Sequence, residues 1–365
     1  MAYSIQNQAL MGMRPKDIPH WEYLGCPDAE TFITGIDYYE HPQQCRKRLA
    51  EIYPKLNVDI PATDTPRPRP KLNLDINTHD VDADGRHVVR WGDGITYHWD
   101  FGQNFTSPEQ VFAFSPLEKG DFRNTGIVTA WDFRSEDALY DYFRAQYPAE
   151  WGDKAPEGST AMAGTYQTMF MWPLLCFGWD MFLETCLDER FERLMDEFAE
   201  LNRRLFRAFA RLPVNFITCH DDIVNTRGPV CSPKWMHKYI FPHYEEFWSI
   251  VKDAGKEVIF ISDGCLDEYV DDVMALGACG VLCEPYTDLC KIARKYDNPF
   301  LAGEGDTRIL ARNNPEEITA MVYRMVETAQ MSGGYHMRIG NEFTWNTPVE
   351  AVKLYLDLCN EFGHR

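Results

Sequence analysis

The feature that most constrains this chain is an alternation in its second half. Short apolar runs and amphipathic stretches follow one another five times. PVNFITC (213–219), KEVIFIS (256–262), CGVLC (279–283), PFLAG (299–303) and YHMRIG (335–340) are apolar and do not alternate in polarity. That pattern predicts parallel strands covered on both faces. Leu187, Phe191, Leu194, Met195, Phe198, Leu201, Leu205 and Phe209 recur at helical spacing and predict a helix over roughly 184–211. Ser232-Pro233 opens the next helix, which Gly255 ends. Asn314-Pro315-Glu316-Glu317 and Thr347-Pro348-Val349-Glu350 read as capping boxes of the last two. Strand–helix alternation leaves a (β/α)8 barrel or a doubly wound open sheet. No GxGxxG or GxxxxGK[ST] follows a strand, which disfavours the nucleotide-binding sheet. We therefore expect a (β/α)8 TIM barrel, with IPHWEYLG (18–25) and STAMAGTYQ (159–167) as two earlier strands.

Residues 61–145 break the pattern. PATDTPRPRPK is a Pro-rich connector, and GRHVVRW, Gly-Asp-Gly and ITYHWDF read as a β-hairpin. The expectation is one barrel domain over 1–365, with 61–145 an insertion or cap over its mouth. Trp91, Tyr97, Trp99, Phe101 and Phe105 in this region would suit a planar or apolar substrate.

The 56 acids and 36 bases give a net charge of −20, a field that repels phosphate backbones and anionic lipid. Neither a nucleic-acid nor a membrane partner is expected. The longest apolar stretch, 168–179, is interrupted by Pro173 and Gly178 and falls short of a spanning helix. Eleven cysteines, none in a CxxC pair, and an N-terminus without an apolar export signal point to reduced thiols and the cytoplasm.

In a barrel, chemistry sits past the C-terminal ends of the strands. Here those ends read Cys219-His220-Asp221-Asp222, Ser262-Asp263-Gly264-Cys265, Cys283-Glu284, Gly303-Glu304-Gly305-Asp306 and Gly340-Asn341-Glu342. Each of the five delivers a carboxylate. Converging carboxylates need a divalent cation, a basic partner or protons. Acids at strand ends also cap helices, and Asp222 or Asp306 could do only that. His220 is a candidate proton carrier or ligand, whereas His336 lies within a strand and reads as structural. No H-x-C, C-x-x-C or H-E-x-x-H spacing is present.

The order of motifs resembles a known family. DDIVNTRGPVCSPKWMHKYIFPHYEEFWSIVKDAG, VIFISDGCLDEYVDDVMALGACGVLCEPYTDL, FLAGEGDTRIL, NNPEEITAMVYRMV and GGYHMRIGNEFTWNTPVEAV, preceded by FGWDMFLETCLDERFERLMDEF, look like the uroporphyrinogen decarboxylase superfamily. The resemblance implies a (β/α)8 barrel and one of two activities. One branch decarboxylates a polyanionic porphyrinogen held by N-terminal arginines; here MGMRPKDIPH offers only Arg14, and the acids expected at the mouth would repel that substrate. The other moves a methyl group between a small substrate or thiol and the cobalt of a corrinoid. The zinc ligands of its thiol-methylating members would fall on Ile261, Asp263 and Asn341, so that set is missing. Glu284 and Glu304 remain as oxygen ligands.

This arrangement resembles the substrate-side methyltransferases of O-demethylase systems, which cleave aryl methyl ethers in anaerobes. No D-x-H-x-x-G is present, so a separate protein would carry the corrinoid. The resemblance implies Asp263, Glu284 and Glu304 as ligands of a zinc-like ion, and His220, Asp222 and Asn341 around the reacting group. The alternatives are a metal-free site with one protonated carboxyl, a decarboxylase, and a non-catalytic corrinoid- or tetrapyrrole-binding module.

Overall fold

A computed structural model describes residues 5–69, 80–81, 87–91, 94–97, 105–119, 131–156, 159–344 and 347–365. Its strands, in chain order, are β1 (His20–Trp21), β2 (Leu56–Asn57), β3 (Asp80–Val81), β4 (His87–Trp91), β5 (Gly94–Tyr97), β6 (Met162–Tyr166), β7 (Phe216–His220), β8 (Val224–Asn225), β9 (Gly228–Pro229), β10 (Glu257–Ser262), β11 (Ala278–Cys283) and β12 (Phe300–Ala302). The chain divides into two compact units, one of Met1–Trp99 with Leu282–Arg365 and one of Asp100–Val281. The architecture is α/β and its main strands are parallel.

In the Asp100–Val281 unit, β6, β7 and β10 run parallel and side by side. The register sets Tyr166, His220 and Ile261 in one row across the three strands. Gly164 is required there, because a Cβ would lie 1.8 Å from the Thr218 hydroxyl. Outside the strands pack helices Glu136–Arg144, Phe191–Arg211 and Phe241–Asp253, whose Leu139, Phe143, Leu194, Phe198, Phe206 and Phe247 are buried. The long helix starts at Phe191, later than its periodicity predicts, and Leu187 is 82% exposed. Apolar Met171–Thr185 is a helix interrupted at Gly178, whose φ of 78° is open to glycine. The helix predicted from Ser232 to Gly255 is two, Pro233–Tyr239 and Phe241–Asp253, broken where Pro242 cannot donate to the preceding turn.

In the other unit β1 pairs with β2 in parallel. Single parallel bridges join His20 to Met337, Leu301 to Tyr335 and Gly305 to Ile339. The predicted fifth strand is therefore an extended segment held by alternate residues, not a continuous ladder. Gly303, at φ 102°, lets the end of β12 touch the end of β11, since a Cβ would stand 1.9 Å from the Cys283 carbonyl. The Asn314 side chain caps Pro315–Ala329 by accepting from the Glu316 and Glu317 amides. The second expected cap does not form. Val349–Phe362 starts after Pro348 with no side-chain cap, and the Thr347 hydroxyl pairs with Thr344 at 3.0 Å.

Of the hairpin expected over residues 85–101, the backbone of the described residues shows β4 and β5 paired antiparallel, and β3 joins β4. Its turn, with Trp99 and Phe101, lies outside the described residues, as do the side chains of Trp91 and Tyr97. Phe105 packs edge-on against Phe114 and Phe177 at 5.3 and 5.2 Å. No helix among the described residues is long and apolar enough to cross a membrane.

Candidate functional site

The site in the Asp100–Val281 unit grows out of strand register. Side chains on a strand alternate between faces, so His220 and Asp222 share a side and Asp221 takes the other. Each aspartate behaves accordingly. Asp221 is fully buried beneath the start of helix Met171–Thr185. It accepts from the Thr168 hydroxyl at 2.7 Å, the Phe170 and Met171 amides at 2.8 Å each, and the Tyr244 hydroxyl at 2.6 Å. It staples the turn after β6 to the end of β7. Burial drives its carboxyl above the usual value despite these donors.

Asp222 faces a second group. His220 Nε2 stands 3.1 Å from its Oδ1, which also accepts the Asp263 backbone N–H at 2.8 Å. The Tyr166 hydroxyl donates to its Oδ2 at 3.3 Å. The Tyr166 and His220 rings meet edge to face, centroids 4.2 Å apart, as neighbours in one strand row should. Burial alone would raise the Asp222 carboxyl. The His220 hydrogen bond and charge, the Asp263 amide and Tyr166 outweigh it and hold the group below its ordinary range. Tyr166 is pushed far up, first by burial and then by the charges of Asp222 and Asp263, so it remains a phenol.

One donor atom each from His220, Asp222 and Asp263 lie within 4.8 Å of one another, a spacing that can hold a metal ion. The loops bearing them are fixed. Cys265 N–H donates to the Asn225 carbonyl at 2.9 Å, and Gly264, at φ 92°, presses on the Asn225 backbone. One imidazole nitrogen and two carboxylates suit zinc in ligand type. Residue Gln167 borders this group. It holds a φ of 81°, rare for a residue other than glycine, and its buried Oε1 has no partner among the described residues.

The remaining expected ligands and Asn341 belong to the other unit. Glu304 is buried in a pocket of its own. Tyr335 donates to Oε2 at 2.8 Å, and Thr328 and Arg324 donate to Oε1 at 3.1 and 3.3 Å. Burial raises its carboxyl. Both oxygens are thus engaged by side chains of helix Pro315–Ala329 and Tyr335. Glu284 lies at the end of β11, its Cα 2.9 Å from where a Cβ on Gly340 would be. The Asn341 carbonyl accepts from Arg338 at 3.4 Å. Among the described residues the group spaced to hold an ion is His220–Asp222–Asp263, which differs from the expected Asp263–Glu284–Glu304 in two of three members. His336 is buried, bonds the Gly334 carbonyl at 3.0 Å and is depressed by burial to about 4.

The same unit carries a cavity of about 500 Å³ at the ends of β1 and β2, lined in part by Trp21, Tyr23, Arg46, Asn57, Asp59 and Glu342. Beneath it Glu22 is buried, bonded to His20 Nε2 at 2.9 Å and to the Tyr355 hydroxyl at 2.6 Å. Tyr166, inside the run 159–167 that reads as a strand, is not singled out by the sequence pattern, and neither are Glu22 and Arg338.

Residues 182–362 match the family Uroporphyrinogen decarboxylase (URO-D), so the resemblance read from the motif order is shown over that span. The fold is similar to that of a methyltransferase from Methanosarcina mazei, with a TM-score of 0.55 and 14% identity over 99% of each chain. A D-psicose 3-epimerase from Clostridium cellulolyticum, solved with D-tagatose, aligns with 46% of this chain and 69% of its own at 11% identity and a TM-score of 0.25. A xylose isomerase-like TIM barrel protein from Mycobacterium smegmatis, in complex with magnesium, aligns over 62% and 88% at 10% identity and a TM-score of 0.26. These last two are too remote to carry an argument. No curated protein matches the sequence.

Proposed function

We propose that this protein is a corrinoid-dependent methyltransferase, moving a methyl group from a small methylated substrate, an aryl methyl ether, to the cobalt of a separate corrinoid protein. The observation that carries the reading is the His220–Asp222–Asp263 group at the ends of β7 and β10, beside Tyr166. The URO-D match and the fold of the Methanosarcina mazei methyltransferase support it. The fold that goes with this reading is a single (β/α)8 barrel domain, with residues 61–145 as its insertion or cap. The parallel strands in each unit support it.

An ether is a poor methyl donor because its leaving group is an alkoxide or phenoxide, so the departing oxygen needs a proton or a Lewis acid. Zinc, when bound, would supply the Lewis acid, with His220, Asp222 and Asp263 as the residues that would hold it. Tyr166 keeps its proton and can share it with the departing oxygen. Asp222 orients both Tyr166 and His220, and the Asp263 amide fixes Asp222. Glu284, Glu304 and Asn341, expected from the sequence as two further ligands and a group around the reacting centre, lie in the other unit.

The test is incubation with reduced corrinoid protein and a panel of methoxylated phenols, and separately with porphyrinogen. Methylcobalt formation that falls together with zinc content in D222N and D263N is the expected result. Turnover that falls without a change in metal content would point to proton donation alone. Carbon dioxide release from porphyrinogen would replace the reading with a decarboxylase, and corrinoid binding without turnover with a binding module.

A further inference from the structure

The far part of helix Met171–Thr185 is apolar on both sides. Beyond the break at Gly178, Phe182 is buried and meets the rings of Phe170, Phe191 and Trp235 at 5.8, 5.9 and 5.8 Å. The buried Thr185 hydroxyl bonds the Met181 carbonyl, and the Trp235 indole donates to the Cys186 carbonyl at 2.9 Å. The inward side is thereby fixed. Outward stand Trp179, Leu183 and Leu187, spaced four residues apart, at 40%, 55% and 82% exposure. Cys186 keeps helical dihedrals, so Leu187 continues the row.

Single exposed leucines are ordinary, but three large apolar side chains at i, i+4 and i+8 are neighbours on a helix and form one stripe. This one spans about 12 Å. A helical segment that is apolar on both faces is expected to be covered on both. The charges around the stripe say by what. Asp180, Glu184 and Glu189 are exposed and have no partner among the described residues. Arg190 and Lys238 are paired with Asp188 and Glu192, which leaves Lys234, beside Trp235, against three free acids. Such a rim favours a basic partner. It disfavours a second copy of the same face, which would set these acids against themselves.

We propose that Trp179, Leu183 and Leu187 are the docking surface for the corrinoid-carrying protein, which lays on it an amphipathic helix with lysine or arginine beside its apolar row. The proposal rests on the methyl-transfer reading, which requires a second protein. The helix that bears the stripe is tied to the reacting group of its own unit. The Phe170 and Met171 amides at its start are held by Asp221, the residue before Asp222. A partner seated on this helix is therefore held in register with His220, Asp222 and Asp263, and the stripe shares no residue with that group. The apolar row supplies the affinity, and the acids supply steering and orientation.

The experiment titrates the full chain with a cobalamin-loaded corrinoid protein of an O-demethylase system, reading binding by calorimetry. It then compares methyl transfer to that protein with transfer to free reduced cobalamin. L183D and L187D, both at exposed positions, should each weaken binding at least about tenfold and raise the KM for the corrinoid protein, with the rate to free cobalamin unchanged. D180K combined with E184K should also weaken binding, and wild-type binding should weaken as salt rises from about 50 to 500 mM. Wild-type affinity in L183D and L187D overturns the proposal. An equal loss of transfer to free cobalamin overturns it too, because the stripe would then act through the fold. Self-association of the chain alone that L187D abolishes overturns it in favour of a second copy. Transfer to free cobalamin by a wild type that does not bind the corrinoid protein keeps the methyl-transfer reading and overturns the surface. Binding that L187D abolishes, with no transfer to either acceptor, keeps the surface and overturns that reading instead.

Discussion

The strand ends of the two units use acids in opposite ways. In the Met1–Trp99 and Leu282–Arg365 unit, Glu22 and Glu304 are each enclosed by three donors of their own unit, so their charge is consumed in holding elements together. In the Asp100–Val281 unit the same choice is made within two adjacent residues. Asp221 is enclosed like the glutamates, while Asp222 meets a histidine, a phenol and a second aspartate. A carboxylate at a strand end is therefore no sign of chemistry in itself. Which side of the pleat it occupies, and whether the helix layer has already supplied its donors, decides the matter.

The contrast can be broken by substitution. The largest effect is expected in D222N, where methyl transfer should fall roughly 100- to 10,000-fold while the melting temperature changes little; a rate within threefold of wild type would show that this group is not the reacting centre. D221A should do the reverse. It orphans four buried donors and should cost roughly 3–5 kcal/mol in urea denaturation. If D221A unfolds at the wild-type midpoint, the enclosed and open aspartates are not different in kind. Y166F removes one hydroxyl from Asp222 and should slow turnover about tenfold, with zinc content unchanged.

How much of this was legible in the sequence follows the same line. The apolar runs 213–219, 256–262 and 279–283 were readable because parallel strands buried on both faces need continuous apolar sequence. β1 and β2 are two residues each and leave too little pattern for period reasoning, and β2 was passed over. His220, Asp222 and Asp263 stood out as residues past strand ends. What spacing along the chain could not give was partnership across it. Glu304 reads like Asp263 until Thr328 and Arg324, twenty residues and more away, are found on its oxygens.

Smaller effects sharpen the comparison through pH. Asp222 has a folded pKa below its ordinary 3.8, so the stability it contributes is present above 3.8 and lost as pH falls through the lower folded value. Glu304 is raised above 4.5, and an acid shifted upward costs stability as pH rises from 4.5 through its folded value. Urea midpoints measured against pH should therefore show D222N lacking a loss at the acid end, and E304Q lacking a decline above 4.5. Curves for both variants that parallel wild type would mean that neither carboxyl is perturbed as described.

The amide of Asp263 has one more use. Because it donates at 2.8 Å to the carboxylate of Asp222, its proton is wired to the charge state of that group. Its resonance in a nitrogen–proton correlation spectrum should move when Asp222 takes up a proton or a metal ion, and move back on chelation. The backbone thus carries a built-in gauge of the site's occupancy, one that reads out in the resting protein with no substrate, corrinoid partner or turnover.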